Sequence, residues 1–132
     1  MTAMCVALDP KTGRASVVGA GHPPLLVSRH DGKTELINSC APPLGLAERK
    51  QFVRTIVDLA PGDAFLLYTD GLYGGSDREK RRLTPAQLGE IIDHSAPTAD
   101  AILQRLLNKV APPSDNGSLP DDMAAVVIRR KS

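Results

Sequence analysis

The sequence lacks several features that would point to common protein classes. It contains no tryptophan, and aromatic residues make up only 3% of its 132 positions. A core must therefore be aliphatic, and the 42% of hydrophobic residues are enough to build one. No apolar run approaches the roughly 20 residues that a membrane-spanning helix needs, and the N-terminus shows no signal-peptide pattern. We therefore expect no membrane partner.

The sequence also has no large excess of positive or negative charge, and cysteine is rare. Sixteen Lys and Arg residues face fifteen Asp and Glu residues, which gives a formal net charge of +1. Binding to a nucleic-acid backbone needs a basic surplus, so we expect no nucleic-acid partner. Cys5 and Cys40 form neither a close pair nor a metal-type spacing. We expect a cytoplasmic protein with reduced thiols, and a buried Cys5 because its neighbours are apolar.

Short apolar runs separated by turn residues predict six strands before any helix. They are expected at Met4–Leu8, Ala15–Ala20, Pro23–Val27, Glu35–Ile37, Phe52–Leu59 and Ala64–Thr69. Asp31-Gly32 predicts a tight hairpin turn, because both residue types tolerate the positive φ of such turns. The run 64–69 is almost continuously apolar, which predicts a strand buried on both faces.

The hydrophobic period becomes helical in the last third of the chain. Thr84 before Pro85 is typical of a helix start. Thr98 can cap a second helix whose apolar stripe ends at Val110, and Met123–Ile128 predicts a last strand. Antiparallel hairpins followed by helices indicate a single α+β domain, with helices packed on one face of antiparallel sheet.

Carboxylates at strand ends are the first candidates for chemistry. Asp70 follows a buried strand and precedes Gly71, which allows a sharp turn and the close approach of a ligand. Asp121 and Asp122 open the last strand, and adjacent carboxylates repel unless a cation or separate orientations relieve them. If Asp70 and Asp121 converge, they offer the oxygen ligands that Mg²⁺ and Mn²⁺ prefer. Taken alone, each is more simply a solvated acidic turn.

His22 lies within a run of glycine, alanine and proline, residues 19–24. Small residues before it predict close backbone packing at this point. A lone histidine in such a place is more often a structural hydrogen-bonding group than a base or a ligand. We therefore expect a structural role for His22.

Four motifs occur in a characteristic order. They are Gly19-Ala20-Gly21-His22-Pro23-Pro24, then Pro43-Leu44-Gly45-Leu46, then Pro61-Gly62-Asp63 leading into Leu67-Tyr68-Thr69-Asp70-Gly71-Leu72, and finally Asp121-Asp122-Met123. In order and spacing, from about Met1 to Arg129, the chain resembles the second half of the SpoIIE-type branch of PPM protein phosphatases. The resemblance implies that residues 1–132 are the C-terminal part of an antiparallel β-sandwich with helices packed on the sheet.

The resemblance also implies an activity and a site. Asp70 and Asp121 would be ligands of Mn²⁺ or Mg²⁺ in a two-metal site, with Gly71 beside the cofactor, whereas Asp122 is not implied as a ligand. The reaction would be hydrolysis of phosphoserine or phosphothreonine by a metal-activated water. The substrate would be a phosphorylated regulatory protein of the anti-anti-sigma type, within a partner-switching circuit.

Two departures from the family pattern set limits to these implications. The earlier Asp-Gly motif that supplies the metal-bridging aspartate has no counterpart, because Asp31-Gly32 lies between hairpin strands. The Thr-Asp-Gly motif continues as Leu72-Tyr73-Gly74-Gly75, where family members usually carry an acidic residue. Half of the sandwich strands would be absent, which predicts self-association or pairing with a missing N-terminal half.

Three functions follow from these considerations. The first is a phosphatase whose active site is incomplete in this chain. The second is a non-catalytic, phosphatase-like module that binds a regulator, which the missing bridging aspartate favours. The third is a structural α+β domain whose acidic turns are solvated.

Overall fold

A computed structural model describes residues 1–46, 51–72, 84–92, 95–110 and 123–131. Within these ranges it contains seven strands, one short 3₁₀ turn and two helices. The strands are β1 (Ala3–Leu8), β2 (Arg14–Ala20), β3 (Leu25–Ser28), β4 (Thr34–Ile37), β5 (Thr55–Asp58), β6 (Ala64–Tyr68) and β7 (Ala125–Arg129). The helices are α1 (Pro85–Ile91) and α2 (Ala99–Val110), and the 3₁₀ turn covers Asp70–Leu72.

The strands pair into two antiparallel sheets, which confirms the expected α+β sandwich. Sheet 1 has the order β1-β2-β5, and sheet 2 has the order β4-β3-β6-β7. The β3–β4 hairpin turns at Asp31-Gly32 as expected, with Gly32 at a φ of +89°. The Asp31 carboxylate accepts a hydrogen bond from the amide of Lys33 at 3.1 Å, which holds the turn in place.

An aliphatic core fills the space between the two sheets. Its buried members come from both sheets, and they are Ala15, Val17, Leu25, Val27, Val57, Leu59 and Phe65. Phe65 is the single aromatic side chain in this set, as the composition requires. Four of the five β6 residues are buried, which confirms that this strand is covered on both faces, since it also faces the helices.

Both helices lie on the outer face of sheet 2. Thr84 caps α1 through a reciprocal pair of bonds with Gln87, as the Thr-Pro start indicates. Thr98 accepts a hydrogen bond from the amide of Ala101 at 3.1 Å and so caps α2. A second core cluster lies under the helices, and it includes Leu66, Tyr68, Leu72, Leu88, Ile92, Ile102 and Leu106. The layers therefore run helices, sheet 2, sheet 1.

The outward face of sheet 1 remains exposed. Cys5 and Ala7 of β1 and Ile56 of β5 are exposed on it. The register links them across the sheet, because Cys5 pairs with Val18 and Ser16 pairs with both Ala7 and Ile56. The expectation that Cys5 is buried is wrong, because an apolar sequence neighbourhood does not reveal which face of a strand is covered.

Four strands, β3, β5, β6 and β7, are shorter than their patterns predicted, and β5 and β3 show why. The expected strand Phe52–Leu59 pairs only at Thr55–Asp58, and Phe52 and Val53 are 50% and 56% exposed. The expected strand Pro23–Val27 begins at Leu25, because consecutive prolines have no amide to donate to a ladder. No helix in the described part of the chain is long and apolar enough to cross a membrane.

Candidate functional site

Asp70 lies where β6 ends and the chain turns. Thr69 donates its amide to the carbonyl of Ala124 at 3.0 Å, and the Ala124 amide donates to Thr69 Oγ1 at 3.0 Å. This double link places the start of the last strand directly beside Asp70. In the 3₁₀ turn that follows, Gly71 and Leu72 are buried while Asp70 is exposed. The turn therefore presents the Asp70 carboxylate to solvent and points the next two residues into the core.

A cavity of about 390 Å³ adjoins Asp70. It is lined by Thr2, Gly21, His22, Pro23, Thr69 and Asp70. Two segments that are far apart in the sequence, residues 19–24 and 69–71, therefore meet at one end of the sandwich. Among the described residues, no hydrogen bond or ion pair engages the Asp70 carboxylate, so it is free to bind a ligand.

The cavity wall at residue 21 is fixed by backbone geometry. Gly21 has a φ of +59°, a conformation that favours glycine. Its amide donates to the carbonyl of Ala41 at 2.8 Å. A Cβ at this position would lie 2.4 Å from Cγ of Pro43. The backbone of the Gly-His-Pro segment thus packs against the Pro43 side chain, as the small residues predicted.

His22 is held by its backbone and by its ring. Its amide donates to Ser39 Oγ at 3.1 Å, and Ser39 Oγ donates to the His22 carbonyl at 2.8 Å. The ring Nδ1 lies 2.9 Å from the carbonyl of Pro23. Because a carbonyl oxygen only accepts, Nδ1 is protonated and donates this hydrogen bond. These contacts confirm that His22 is a structural hydrogen-bonding residue, and its place on the cavity wall adds a feature that the sequence did not indicate.

Comparison with known proteins identifies the relatives of this chain. The family model for Stage II sporulation protein E (SpoIIE) matches residues 1–131. The chain belongs to the SpoIIE family. This SpoIIE-family chain is 34% identical, over 71 residues, to the phosphoserine phosphatase RsbP of Bacillus subtilis, a match that covers 54% of this chain and 18% of RsbP. It is 26% identical over 128 residues to the protein IcfG of Synechocystis, covering 93% of this chain and 19% of IcfG.

Solved structures share the fold. The RsbU and RsbW domains of Rv1364c from Mycobacterium tuberculosis superpose with a TM-score of 0.78 at 27% identity, over 98% of this chain and 36% of that one. The SiaA PP2C domain of Pseudomonas aeruginosa superposes with a TM-score of 0.77 at 18% identity, over 97% of this chain and 51% of that one. The SpoIIE-family chain thus spans about a fifth of its curated relatives and a third to a half of these structures.

Beside the cavity, the described part of the SpoIIE-family chain offers one carboxylate that suits a hard divalent cation. Asp70 offers an exposed carboxylate beside a cavity, and carboxylate oxygens are the ligands that Mg²⁺ and Mn²⁺ select. Gly71 follows it without a side chain and is buried in the turn. The other expected ligand, Asp121, and its neighbour Asp122 lie outside the described residues. Within those residues, no group of three or more His, Cys, Asp or Glu side chains could hold a metal ion.

A second carboxylate, Asp63, lies at the opposite end of β6 and has the opposite surroundings. It is only 1% exposed. Its Oδ1 accepts hydrogen bonds from the amide and Nδ1 of His30 at 2.8 and 2.9 Å, and its Oδ2 accepts from Arg29 Nη1 at 2.9 Å and from the Ala60 amide at 3.0 Å. The sequence motifs did not reveal a role for Asp63, although a carboxylate directly before a buried strand signals one.

The hydrogen bonds around Asp63 decide its charge state. Burial by itself raises the pKa of Asp63, but the bonds from Arg29, His30 and Ala60 outweigh burial and lower the pKa to about 2. The charged Asp63 side chain therefore links the β3–β4 hairpin to the turn before β6 through hydrogen bonds. It serves the fold, whereas Asp70 remains available for chemistry.

Proposed function

We propose that residues 1–132 form the C-terminal part of a metal-dependent phosphoserine/phosphothreonine protein phosphatase domain. The observation that carries the proposal is the exposed Asp70 carboxylate, which no described residue bonds, beside a cavity of about 390 Å³ at the meeting point of the Gly-His-Pro and Thr-Asp-Gly segments. Membership of the SpoIIE family supports it. So does the similarity to RsbP, which is a phosphoserine phosphatase.

Asp70 and Asp121 are the proposed ligands of Mn²⁺ or Mg²⁺, with Gly71 leaving room beside them. Ala124 is hydrogen-bonded to Thr69, the neighbour of Asp70. Asp121 precedes Ala124 by three positions, and three residues of chain span at most about 11 Å. The chain is thus short enough to bring a second carboxylate towards Asp70, which supports a shared cation site.

The protein's own contribution to the reaction is positioning. When bound, divalent cations activate water and neutralise charge on a phosphoryl group. Asp70 is held for this task by the 3₁₀ turn and by the double link between Thr69 and Ala124. The cavity beside it has room for a phosphate ester, since ligand pockets begin at about 300 Å³. By resemblance, the proposed substrate is a phosphorylated regulator of the anti-anti-sigma type.

The outward face of sheet 1 supports pairing of this chain with another chain. The exposed residues Cys5, Ala7 and Ile56 form an apolar part of that face, which also carries Ser16 and the Arg14–Asp58 ion pair, and both helices pack on sheet 2 instead. Exposed apolar sheet faces favour association. We propose that the chain pairs with an N-terminal half of the domain or with a second copy of itself. A strictly monomeric species at high concentration in light scattering would contradict pairing between copies.

The test is Mn²⁺-dependent hydrolysis of p-nitrophenyl phosphate by the wild-type chain and by Asp70→Asn. We expect the variant to lose more than about 100-fold of the activity, because a ligand matters more than the outer-sphere groups worth 10- to 100-fold. Asp58→Asn is the matched control, since Asp58 is an exposed carboxylate that pairs with Arg14 away from the cavity.

The same two proteins distinguish the alternative functions. If neither hydrolyses the ester, Mn²⁺ titration by calorimetry is the next measurement. If Mn²⁺ binds to the wild type and not to Asp70→Asn, the proposal that Asp70 is a metal ligand stands. Activity must then be tested with the proposed N-terminal half of the domain supplied in trans. Binding to a regulator that survives Asp70→Asn would instead favour a non-catalytic, phosphatase-like module. Failure to bind millimolar Mn²⁺ would favour a purely structural domain.

A further inference from the structure

The backbone of His22, rather than its ring, supports the surrounding fold. Ser39 bonds both the amide and the carbonyl of residue 22, at 3.1 and 2.8 Å. The amide of the preceding residue, Gly21, donates a hydrogen bond to the carbonyl of Ala41. Backbone groups form these bonds whatever side chain residue 22 carries. The fold at this junction therefore does not require an imidazole, and the presence of one needs another reason.

The ring itself is oriented by a single bond that leaves one nitrogen available. Nδ1 donates to the Pro23 carbonyl at 2.9 Å, and this carbonyl belongs to a residue whose φ is fixed by its own ring. In the described part of the chain, no hydrogen bond engages Nε2. An imidazole that is anchored at Nδ1 and open at Nε2 is prepared to contact a ligand.

The location of the ring identifies the ligand's chemistry. His22 is half-buried on the wall of the cavity that Asp70 also lines, and the other lining residues are Thr2, Gly21, Pro23 and Thr69. His22 is the one member of this set that can carry a positive charge. A phosphate ester is an anion, and hydrogen bonds to anionic oxygen are about twice as strong as neutral ones.

We infer that His22 is a substrate-contacting residue: in its imidazolium form, with Nδ1–H bonded to the Pro23 carbonyl, its Nε2–H donates a hydrogen bond to an oxygen of the phosphoryl group of a phosphate ester held in the cavity beside Asp70. The inference rests on the proposed function, because it takes that cavity to be the phosphatase site. It assigns the Gly-His-Pro segment a role in substrate binding in addition to its structural one. Asp70 would hold the cation, and His22 would orient the phosphoryl group in the same cavity.

Two substitutions separate the two ring nitrogens. His22→Asn places an amide near the position of Nδ1 and leaves nothing at Nε2, whereas His22→Gln extends an amide nitrogen towards Nε2. With Mn²⁺ and p-nitrophenyl phosphate, we expect His22→Asn to raise KM about 10-fold or more, since a bond to a charged group is worth roughly that factor. The kcat should change much less, and His22→Gln should recover part of the KM.

A purely structural role predicts a different result. It would lower the thermal midpoint of both variants, and His22→Gln would give no recovery of KM. A wild-type KM in a folded His22→Asn protein would overturn the inference. Loss of hydrolysis in Asp70→Asn tests the proposed function independently, because that variant leaves His22 untouched.

Nuclear magnetic resonance tests the contact without relying on turnover. Inorganic phosphate is titrated into the full chain with Mg²⁺ present, and the ring signals of the histidines are followed. His22 should shift in a saturable way. His30, which lies across β3 at the other end of sheet 2 and is 60% exposed at its side chain, should not shift. Unmoved His22 signals would overturn the inference. A His22 shift together with Mn²⁺ binding that is unchanged in Asp70→Asn would retain the phosphate contact and contradict the proposed metal site.

Discussion

Replacing Asp63 by asparagine should destabilise the fold more than any other exchange of a single carboxylate in the described chain. The Asp63 side chain accepts four hydrogen bonds, two from His30 and one each from Arg29 and Ala60. Asparagine has nearly the same shape, but its amide nitrogen must face two of these donors. At least one buried donor then loses its acceptor, and Arg29 loses its buried counter-charge.

The magnitude follows from the burial of the pair. Breaking a buried ion pair by removing one partner costs about 3–5 kcal/mol. Arg29 keeps its bonds to Glu35, so we expect the lower end, about 3 kcal/mol at neutral pH. A domain of this size has a total unfolding free energy of about 5–15 kcal/mol, so the variant should remain folded at low temperature and melt well below the wild type.

The same carboxylate predicts a pH dependence with a definite sign. The pKa of Asp63 is lowered from 3.8 to about 2 in the folded chain, so folding favours the charged form. This contribution is complete above the unfolded pKa and is lost as the pH falls through the folded pKa. A shift of this size corresponds to about 2 kcal/mol. The wild type should lose that amount between pH 6 and pH 2, and Asp63→Asn should not.

Urea denaturation followed by circular dichroism, at pH 6 and at steps down to pH 2, measures both effects. Asp58→Asn is the control, because Asp58 is exposed and its loss should change stability little. The reasoning would be refuted by an Asp63→Asn protein as stable as the wild type at pH 6. It would also be refuted if the variant lost as much stability on acidification as the wild type does.

Two further substitutions test other parts of the fold. Gly21→Ala should destabilise the chain by about 1–3 kcal/mol, because its φ of +59° disfavours a side chain and the new Cβ would meet the Pro43 ring; thermal melting measures this, and an unchanged midpoint would show that the loop yields. Thr84→Ala should cost about 1 kcal/mol by removing the acceptor for the Gln87 amide, while Thr84→Ser should restore it in the same melting assay. Equal melting of both Thr84 variants would contradict the capping argument.

Much of the fold could be predicted because its signals are local. The capping box at Thr84 and the Thr98 cap depend on residues within one helical turn, and both are present. The turn at Asp31-Gly32 depends on a glycine conformation that no distant residue needs to supply. The continuous apolar run of β6 reflects burial between the helices and sheet 1, so period and composition sufficed to predict it.

The remaining features depend on distant parts of the chain. Cys5 is exposed because it lies on the face of sheet 1 that the core and the described helices do not cover, and no local pattern encodes which face that is. The short β5 follows from its register with β2, which pairs only Thr55 to Asp58. The convergence of His22 and Asp70 on one cavity requires β2, β3 and β6 to be placed relative to one another. Asp121 stays a prediction, because it lies outside the described residues.

The two ends of β6 show how one strand can separate stability from chemistry. Asp63 before the strand is buried and saturated with protein donors, so its charge is committed to the fold. Asp70 after the strand is exposed, and no described residue bonds its carboxylate. A carboxylate that must bind a cation cannot already be neutralised by an arginine, since the cation would have to displace it. Asp70→Asn should therefore abolish Mn²⁺ binding and leave the melting temperature without metal unchanged. Asp63→Asn should lower the melting temperature and leave Mn²⁺ binding intact in the molecules that remain folded. Loss of both Mn²⁺ binding and thermal stability in both variants would show that the two ends of β6 are coupled.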